Sequence, residues 1–302
     1  MRGLAIIFGL LVAAFTATRT MAEEVTLDYL GLELAGNLEV AAGKSLKNDG
    51  IVLLVHDTLG HHRMEPIATL QEGLRDLGVN SLAVTLGLGM DKRHTMFNCA
   101  IEQDHRHEDA VEEIASWVQW LKEKGAGAIT VAGHGRGANQ VALYAINRID
   151  KSVKRAVLMA PLMQTPEKAE AEYHERFHKP LRQELAKAEE LVANEEGNQL
   201  LDVPGFLNCP NAKVTAGAFA DYYGANPKFQ TTNLVQSIKV PVLIAVGELD
   251  PALQEINEAQ SSFAGLRTVS IVTVPGADHD FRDTGEELAH KIKEFLVQKV
   301  QG

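Results

Sequence analysis

Residues 128–139 have the sequence AITVAGHGRGAN, which joins an apolar run, a turn bounded by glycines and the start of a helical pattern. The run Ala128–Ala132 is typical of a strand buried in a parallel sheet. Gly133 and Gly137 have no side chains, so the strand and the helix can approach each other closely. The segment therefore predicts a strand, a sharp turn centred on Gly135, and a helix.

Similar apolar runs recur along the chain, and amphipathic helical patterns separate them. This alternation predicts a doubly wound, mostly parallel α/β sheet. An antiparallel hairpin is expected to precede it, with strands at Val25–Leu30 and Leu32–Val40 and a further turn at Gly36-Asn37. The runs that predict the other strands are Ile51–Val55, Ser81–Thr85, Ala156–Met159, Val240–Val246 and Ser270–Val274.

One long segment, 161–233, contains no apolar run of the buried-strand type. Thr165-Pro166 is typical of a helix start, and a helical stripe runs from Leu181 to Val192. We therefore expect a helical insertion that forms a lid over the carboxyl ends of the strands. A capping box, Thr284-x-x-Glu287, predicts the start of the last helix.

Two titratable residues each follow a predicted strand in the second half of the chain. Asp250 follows Val240–Val246, and His279 follows Ser270–Val274. A sharp strand-to-helix turn, then an acid, then a histidine is the order of the catalytic triad in the α/β-hydrolase superfamily, and the chain resembles that superfamily over nearly all of residues 23–302. The resemblance implies an α/β-hydrolase fold with an N-terminal antiparallel hairpin and a lid.

The chain departs from the family pattern at two positions. The family places a nucleophilic serine at the centre of G-x-S-x-G, whereas this chain has Gly135, so the nucleophile position is vacant. The family usually shows His-Gly after the third strand, whereas this chain has His56-Asp57. A carboxylate at position 57 would oppose an oxyanion if it faced inward.

The resemblance assigns roles to the other site residues. Asp250 would orient His279, which is the general base of such a triad. The backbone N–H groups of Thr58 and Arg136 would form the oxyanion hole. His56, Asp57 and His134 are expected around the pocket; they and His279 are also considered as ligands of a metal, but no metal-binding spacing is present.

The N-terminus predicts export. Arg2, the apolar run Leu4–Phe15 and the small residues near Ala22 are typical of a signal peptide over 1–22. A periplasmic or secreted location in turn favours a disulfide between Cys99 and Cys209. The formal charge of -11 leaves no basic face for nucleic acid, and no membrane contact or cofactor is expected after signal cleavage.

Three functions remain open from the sequence. The first is a degenerate hydrolase that acts in binding, because superfamily members with an inert residue at the turn serve as adhesion, scaffold or sensor proteins. The second is an active hydrolase of a small ester, lactone or amide. Such an enzyme would use either a water activated by His279 or a nucleophile displaced in the sequence, with Asp57 as the nearby carboxylate for covalent attack. The third is a periplasmic metal-binding protein. The small-molecule ligand or protein partner is not predicted.

Overall fold

A computed structural model describes residues 22–263, 266 and 268–298. The strands are β1 (Glu23–Tyr29), β2 (Leu32–Glu39), β3 (Ile51–Val55), β4 (Ser81–Val84), β5 (Ile129–His134), β6 (Val153–Met159), β7 (Leu200–Phe206), β8 (Cys209–Thr215), β9 (Val242–Gly247) and β10 (Val269–Val274). The helices are α1 (Leu46–Asp49), α2 (Ile67–Asp76), α3 (Asp109–Glu123), α4 (Arg136–Asn147), α5 (Pro166–Phe177), α6 (Leu181–Ala193), α7 (Ala216–Tyr223), α8 (Thr231–Val235), α9 (Leu253–Phe263) and α10 (Gly285–Val297), and a 3-10 turn covers Pro227–Phe229. Within this part of the chain, no helix is both long enough and apolar enough to span a bilayer.

Eight strands form the central sheet in the order β1-β2-β4-β3-β5-β6-β9-β10. β2 pairs antiparallel with β1 and with β4, and the remaining pairs are parallel. Helices cover both faces, so β3 is buried along its whole length: Leu53 packs into one core cluster and Leu54 into the other. This arrangement explains the continuous apolar runs and confirms the predicted α/β-hydrolase fold.

The prediction of a turn at Gly36-Asn37 is wrong. β2 continues through both residues, and Gly36 lies opposite Val25 of β1 and Val84 of β4. A Cβ atom on Gly36 would lie 3.1 Å from the carbonyl oxygen of Ala83, so the glycine serves close strand packing rather than a change of direction.

The insertion between β6 and β9 is mostly helical, as expected, but it also contains an antiparallel hairpin that the sequence did not predict. β7 and β8 pair across a two-residue turn at Leu207-Asn208. Pro204, Gly205 and Pro210 lie inside these strands, and such residues weaken a strand pattern.

Both predicted helix starts are confirmed, but only the first has a hydrogen bond from the capping side chain. Thr165 caps α5, because its hydroxyl accepts a hydrogen bond from the N–H of Lys168, and Pro166 takes the first helical position. The predicted capping box of α10 does not form: the hydroxyl of Thr284 is buried and has no hydrogen-bond partner among the described residues.

The predicted disulfide is present. Cys99 in the loop after β4 is bonded to Cys209 at the start of β8, with their Cα atoms 5.2 Å apart. Gln103 in the same loop exchanges backbone hydrogen bonds with Lys213 and Thr215 of β8. The insertion is therefore held to the body of the sheet at this point. The predicted signal peptide lies outside the described residues except for Ala22.

Loss of this disulfide should lower stability. The two cysteines are 110 residues apart, and the chain-entropy model gives about 4 to 5 kcal/mol for a loop of that length, with measured values usually about 2 to 5 kcal/mol. We expect the free energy of unfolding in urea to fall by about 2 to 5 kcal/mol in Cys99→Ala/Cys209→Ala. Equal unfolding curves for this variant and the oxidised parent would contradict a stabilising role.

Candidate active site

The turn after β5 has a backbone conformation that favours glycine. Gly135 has φ 55° and ψ -118°, which glycine adopts at little cost. Its N–H donates to the carbonyl of Met159 at 2.9 Å, and its carbonyl accepts from the N–H groups of Ala138 and Leu162. The turn is therefore fixed on both sides, as the residue pattern predicted.

The flanking glycines bring this turn against the loop after β3. A Cβ atom on Gly133 would lie 2.3 Å from the carbonyl oxygen of Gly137, and one on Gly137 would lie 2.2 Å from the carbonyl oxygen of His56. Only glycine tolerates these contacts. The loop that carries His56, Asp57 and Thr58 is therefore pressed directly onto the turn.

The carboxylate of Asp57 fills the space that a side chain at position 135 would need. A Cβ atom on Gly135 would lie 2.3 Å from both Cγ and Oδ1 of Asp57 and 2.7 Å from Oδ2. Position 135 itself carries no side chain, but its place at the turn is occupied from the neighbouring loop. The space that the absent side chain of residue 135 leaves is thus taken by a carboxylate.

The two oxygens of this carboxylate have different surroundings. Oδ1 accepts hydrogen bonds from the backbone N–H of Arg136 at 2.6 Å and from the hydroxyl of Thr58 at 3.1 Å. Oδ2 faces Nε2 of His279 at 3.9 Å. The two residues that the resemblance assigned to an oxyanion hole, Arg136 and Thr58, therefore both bind Asp57, and Thr58 does so through its hydroxyl.

Asp250 and His279 come together at the carboxyl ends of β9 and β10. The Nδ1–H of His279 donates to Oδ2 of Asp250 at 3.0 Å, and Oδ1 of Asp250 accepts the N–H of Ala252 at 2.7 Å. The Asp250 side chain is 1% exposed. The aspartate therefore fixes the ring of His279 so that its other nitrogen faces Asp57.

This arrangement keeps all three groups charged. Burial opposes ionisation of Asp57, but the rings of His279 and His134 and the N–H of Arg136 hold its pKa far below the usual range. Burial also opposes the charge on His279, yet Asp250 and Asp57 together raise its pKa to about 10. The pKa of Asp250 is lowered as well, since its contact with His279 outweighs burial. At neutral pH the site holds an imidazolium between two carboxylates.

His56 and His134 are buried and do not lie on the pocket wall. His56 joins the carbonyl of Asp57 (2.6 Å) to the N–H of Leu86 (3.0 Å), and burial lowers its pKa to about 3, so it holds the loop as a neutral ring. Nε2 of His134 donates to the carbonyl of His279 at 2.8 Å. Both residues therefore support the site from behind.

One group of side chains in the described part of the chain has the spacing of a metal site. Nitrogen and oxygen atoms of His134, His279 and Asp280 lie within 4.8 Å of one another. One ring nitrogen of His134 is already bonded to the carbonyl of His279, and one ring nitrogen of His279 to Asp250. His56 is not part of this group.

A cavity of about 340 Å³ lies above the carboxylate, between the sheet and the insertion. Its floor includes Asp57, Thr58, Arg136 and His279. The insertion contributes polar and aromatic side chains that the sequence analysis did not assign to the site, because a helical stripe indicates a buried face but not what that face covers. These include Gln164, Tyr173, Arg176, Phe177 and Tyr223.

Comparison with known proteins finds no matching family model and no matching curated protein. Solved structures do match. Est1E from Butyrivibrio proteoclasticus with bound ferulic acid is 21% identical, with 90% of this chain and 98% of that chain covered and a TM-score of 0.65. The monoacylglycerol lipase of Paleococcus ferrophilus is 22% identical (82% and 94% covered, TM-score 0.55). An alpha-beta serine hydrolase homologue from Coxiella burnetii is 15% identical (91% and 97% covered, TM-score 0.56). The chain thus has the α/β-hydrolase fold.

Proposed function

We propose that this protein is an exported hydrolase of small activated esters or lactones. Asp57 would be the nucleophile, in place of the serine that the family pattern has at the turn after β5. One observation carries the proposal: the Asp57 carboxylate lies where a side chain at position 135 would be and faces His279. The Cys99–Cys209 disulfide supports an oxidising compartment.

The charges suit a reaction in two steps. In the first, Oδ2 of Asp57 attacks the electrophilic carbon, the bond to the leaving oxygen breaks, and the His279 imidazolium gives that oxygen its proton. Asp57 is then an uncharged acyl derivative, so one of the two charges that raised the pKa of His279 is gone. The neutral ring now serves as a general base.

In the second step, His279 takes a proton from water as that water attacks Cγ of Asp57. Negative charge then develops on Oδ1, which already accepts the N–H of Arg136 and the hydroxyl of Thr58. Collapse of this intermediate releases the acid and restores the carboxylate, while the proton remains on His279. Water activation by His279 therefore belongs after the attack by Asp57, since the resting ring is already protonated.

The same donors limit the first step. Because both bind Oδ1 of Asp57, they are not free to stabilise an oxyanion on the substrate, and loss of one such donor costs about 2.7 to 4 kcal/mol of barrier. Substrates with a weakly basic leaving oxygen, such as aryl esters or enol lactones, need this stabilisation least. We therefore expect activated substrates to react and simple alkyl esters to react poorly.

A degenerate site that only binds a ligand is the second candidate. The observation that favours it is the same carboxylate: it occupies the Arg136 N–H and forms an ion pair with His279, so the site is satisfied without a substrate. In that case the Asp57 carboxylate would block catalysis, since it occupies the Arg136 N–H and pairs with His279.

Asp57→Asn should lower the turnover of short p-nitrophenyl esters by at least about 100-fold, because the amide is a poor nucleophile. Turnover in heavy-oxygen water should place a heavy oxygen in the peptide that contains Asp57, as measured by mass spectrometry. Asp202→Asn, which changes an exposed carboxylate of the insertion, is the matched control. Full activity in Asp57→Asn would exclude Asp57 as nucleophile, and absence of turnover in the parent would favour the binding protein.

The titration of His279 should report the ion pair. Its ring signals in an NMR titration should remain those of the protonated form until the pH approaches about 10. In Asp57→Asn the pKa should fall by about one to three, since an opposite charge is lost. Because the pKa is raised on folding, the stabilisation is complete below the unfolded value of about 6.5 and is lost as the pH rises toward 10. Identical titrations of the two proteins would exclude the ion pair.

Gly135→Ser alone should not restore a serine hydrolase. Its Cβ would meet the Asp57 carboxylate at 2.3 Å, and residue 135 has φ 55°, a strain of about 1 to 3 kcal/mol for a side chain. Asp57→Gly/Gly135→Ser removes the collision and restores both family residues. We expect labelling by a fluorophosphonate probe in the double variant but in neither single variant. Equal labelling of Gly135→Ser and the double variant would show that the two positions do not compete.

A further inference from the structure

The floor of the cavity contains a buried guanidinium with no carboxylate partner. Arg136 is 8% exposed. Its Nε donates to the hydroxyl of Thr58 at 3.2 Å, and Nη2 donates to Oε1 of Gln164 at 3.1 Å. No carboxylate oxygen in the described ranges forms an ion pair with this guanidinium. Buried charges are costly unless they are paired, so this cation is incompletely compensated.

Two further contacts of the Arg136 guanidinium are also with uncharged side chains. Nη1 lies 3.5 Å from Nδ1 of His107, whose pKa burial lowers to about 3, so this ring is neutral. The guanidinium also lies over the ring of Tyr222, at 5.2 Å from its centroid. Only three of the five N–H groups of the guanidinium have these partners. Since Arg136 lines the cavity, the others are available to a ligand.

A second arginine lies on the insertion side of the same cavity. Arg176 of α5 donates to the carbonyl of Leu207 at 2.8 Å and to the side chain of Asn208, and within the described residues it forms no ion pair. Among the described residues, Asp57 and Glu172 are the two carboxylates that line the cavity, and Glu172, one turn before Arg176 on α5, is exposed at the rim. The single positive charge of His279 is shared by Asp57 and Asp250, and within the described residues neither these carboxylates nor Glu172 forms an ion pair with Arg136 or Arg176.

We propose that this cavity binds a substrate that carries a carboxylate, held by the guanidinium of Arg136 with Arg176 on the opposite side. A planar guanidinium with free N–H groups matches a carboxylate in two parallel hydrogen bonds. Two hydrogen bonds, through the hydroxyl of Thr58, connect the guanidinium of Arg136 to Oδ1 of Asp57. In the substrate, only a short chain of atoms would therefore separate the bound carboxylate from the carbon that Asp57 attacks. The substrate class is a monoester or lactone of a small dicarboxylic acid. Its turnover rests on the proposed function, but binding of the carboxylate does not.

Binding is tested first, without catalysis. Glutarate and its uncharged diamide are titrated into the parent and into Asp57→Asn by calorimetry. We expect glutarate to bind both proteins and the diamide to bind neither. Arg136→Met should weaken glutarate binding by about 10-fold to 100-fold, since a charge-assisted pair is lost, whereas Arg182→Met, an exposed arginine of α6, should not. Equal affinity for acid and diamide, or equal binding of phosphate, would overturn a carboxylate site.

Selectivity is tested with p-nitrophenyl hydrogen glutarate and its neutral methyl ester. We expect the parent to favour the acid in kcat/KM by about 10-fold or more, and Arg136→Met to lose this preference. A purely structural role of Arg136 would lower both rates equally and overturn the proposal. Should Arg136→Met not fold, Arg136→Lys and Arg176→Met are measured instead. We expect each of these variants to show a reduced preference for the acid, and an unchanged preference would contradict the proposal. Glutarate binding without turnover of either ester would refute the hydrolase but support the carboxylate site.

Discussion

The exclusion of one side chain by another governs this site. Gly133 and Gly137 press the turn after β5 onto the loop after β3, and in that contact the side chains of residues 57 and 135 would share one volume. The family pattern, with glycine in the loop and serine at the turn, fills it from one side; this chain, with Asp57 and Gly135, fills it from the other. The two departures from the pattern are thus one change, since either substitution alone leaves the space overfilled or empty.

In the proposed reaction, this exchange reverses the order of proton transfer. In a Ser-His-Asp site the nucleophile is neutral, so the histidine can begin as a base. Here the proposed nucleophile, Asp57, carries a negative charge, and the ring of His279 lies between Asp57 and Asp250, which together raise the pKa of the ring to about 10. The ring must therefore first act as an acid, and it becomes a base only after the charge on Asp57 is consumed. In this proposal, His279 and Asp250 keep the positions of the family's histidine and aspartate, but the proton transfers occur in a different order from those of a Ser-His-Asp site.

The sequence predicted those features that depend on local pattern. The alternation of apolar runs and helical stripes gave the sheet, and the positions of Gly135, Asp250 and His279 after their strands gave the site. The direction of the Asp57 side chain was not predictable, because it depends on how two segments 78 residues apart in the chain pack together. The β7–β8 hairpin was hidden by prolines and a glycine inside its strands. Nor does any local pattern show that the guanidinium of Arg136 has no carboxylate partner among the described residues.

The residues of the proposed reaction and those of the proposed ligand selectivity lie in different parts of the chain, and hydrogen bonds connect these parts. The reacting groups follow strands of the sheet, whereas Gln164 and Arg176 belong to the insertion. Asn139 of α4, one turn after the elbow, joins the two parts: its side chain bonds to His107 at 2.7 Å, to the carbonyl of Lys228 at 2.7 Å and to the hydroxyl of Thr231 at 2.9 Å. The Cys99–Cys209 disulfide adds a covalent link. The helix α4, which begins at the turn after β5, thus also holds the insertion that lines the cavity. Under the proposed function, a change in the insertion would alter which ligand is held without moving the Asp57, His279 and Asp250 side chains.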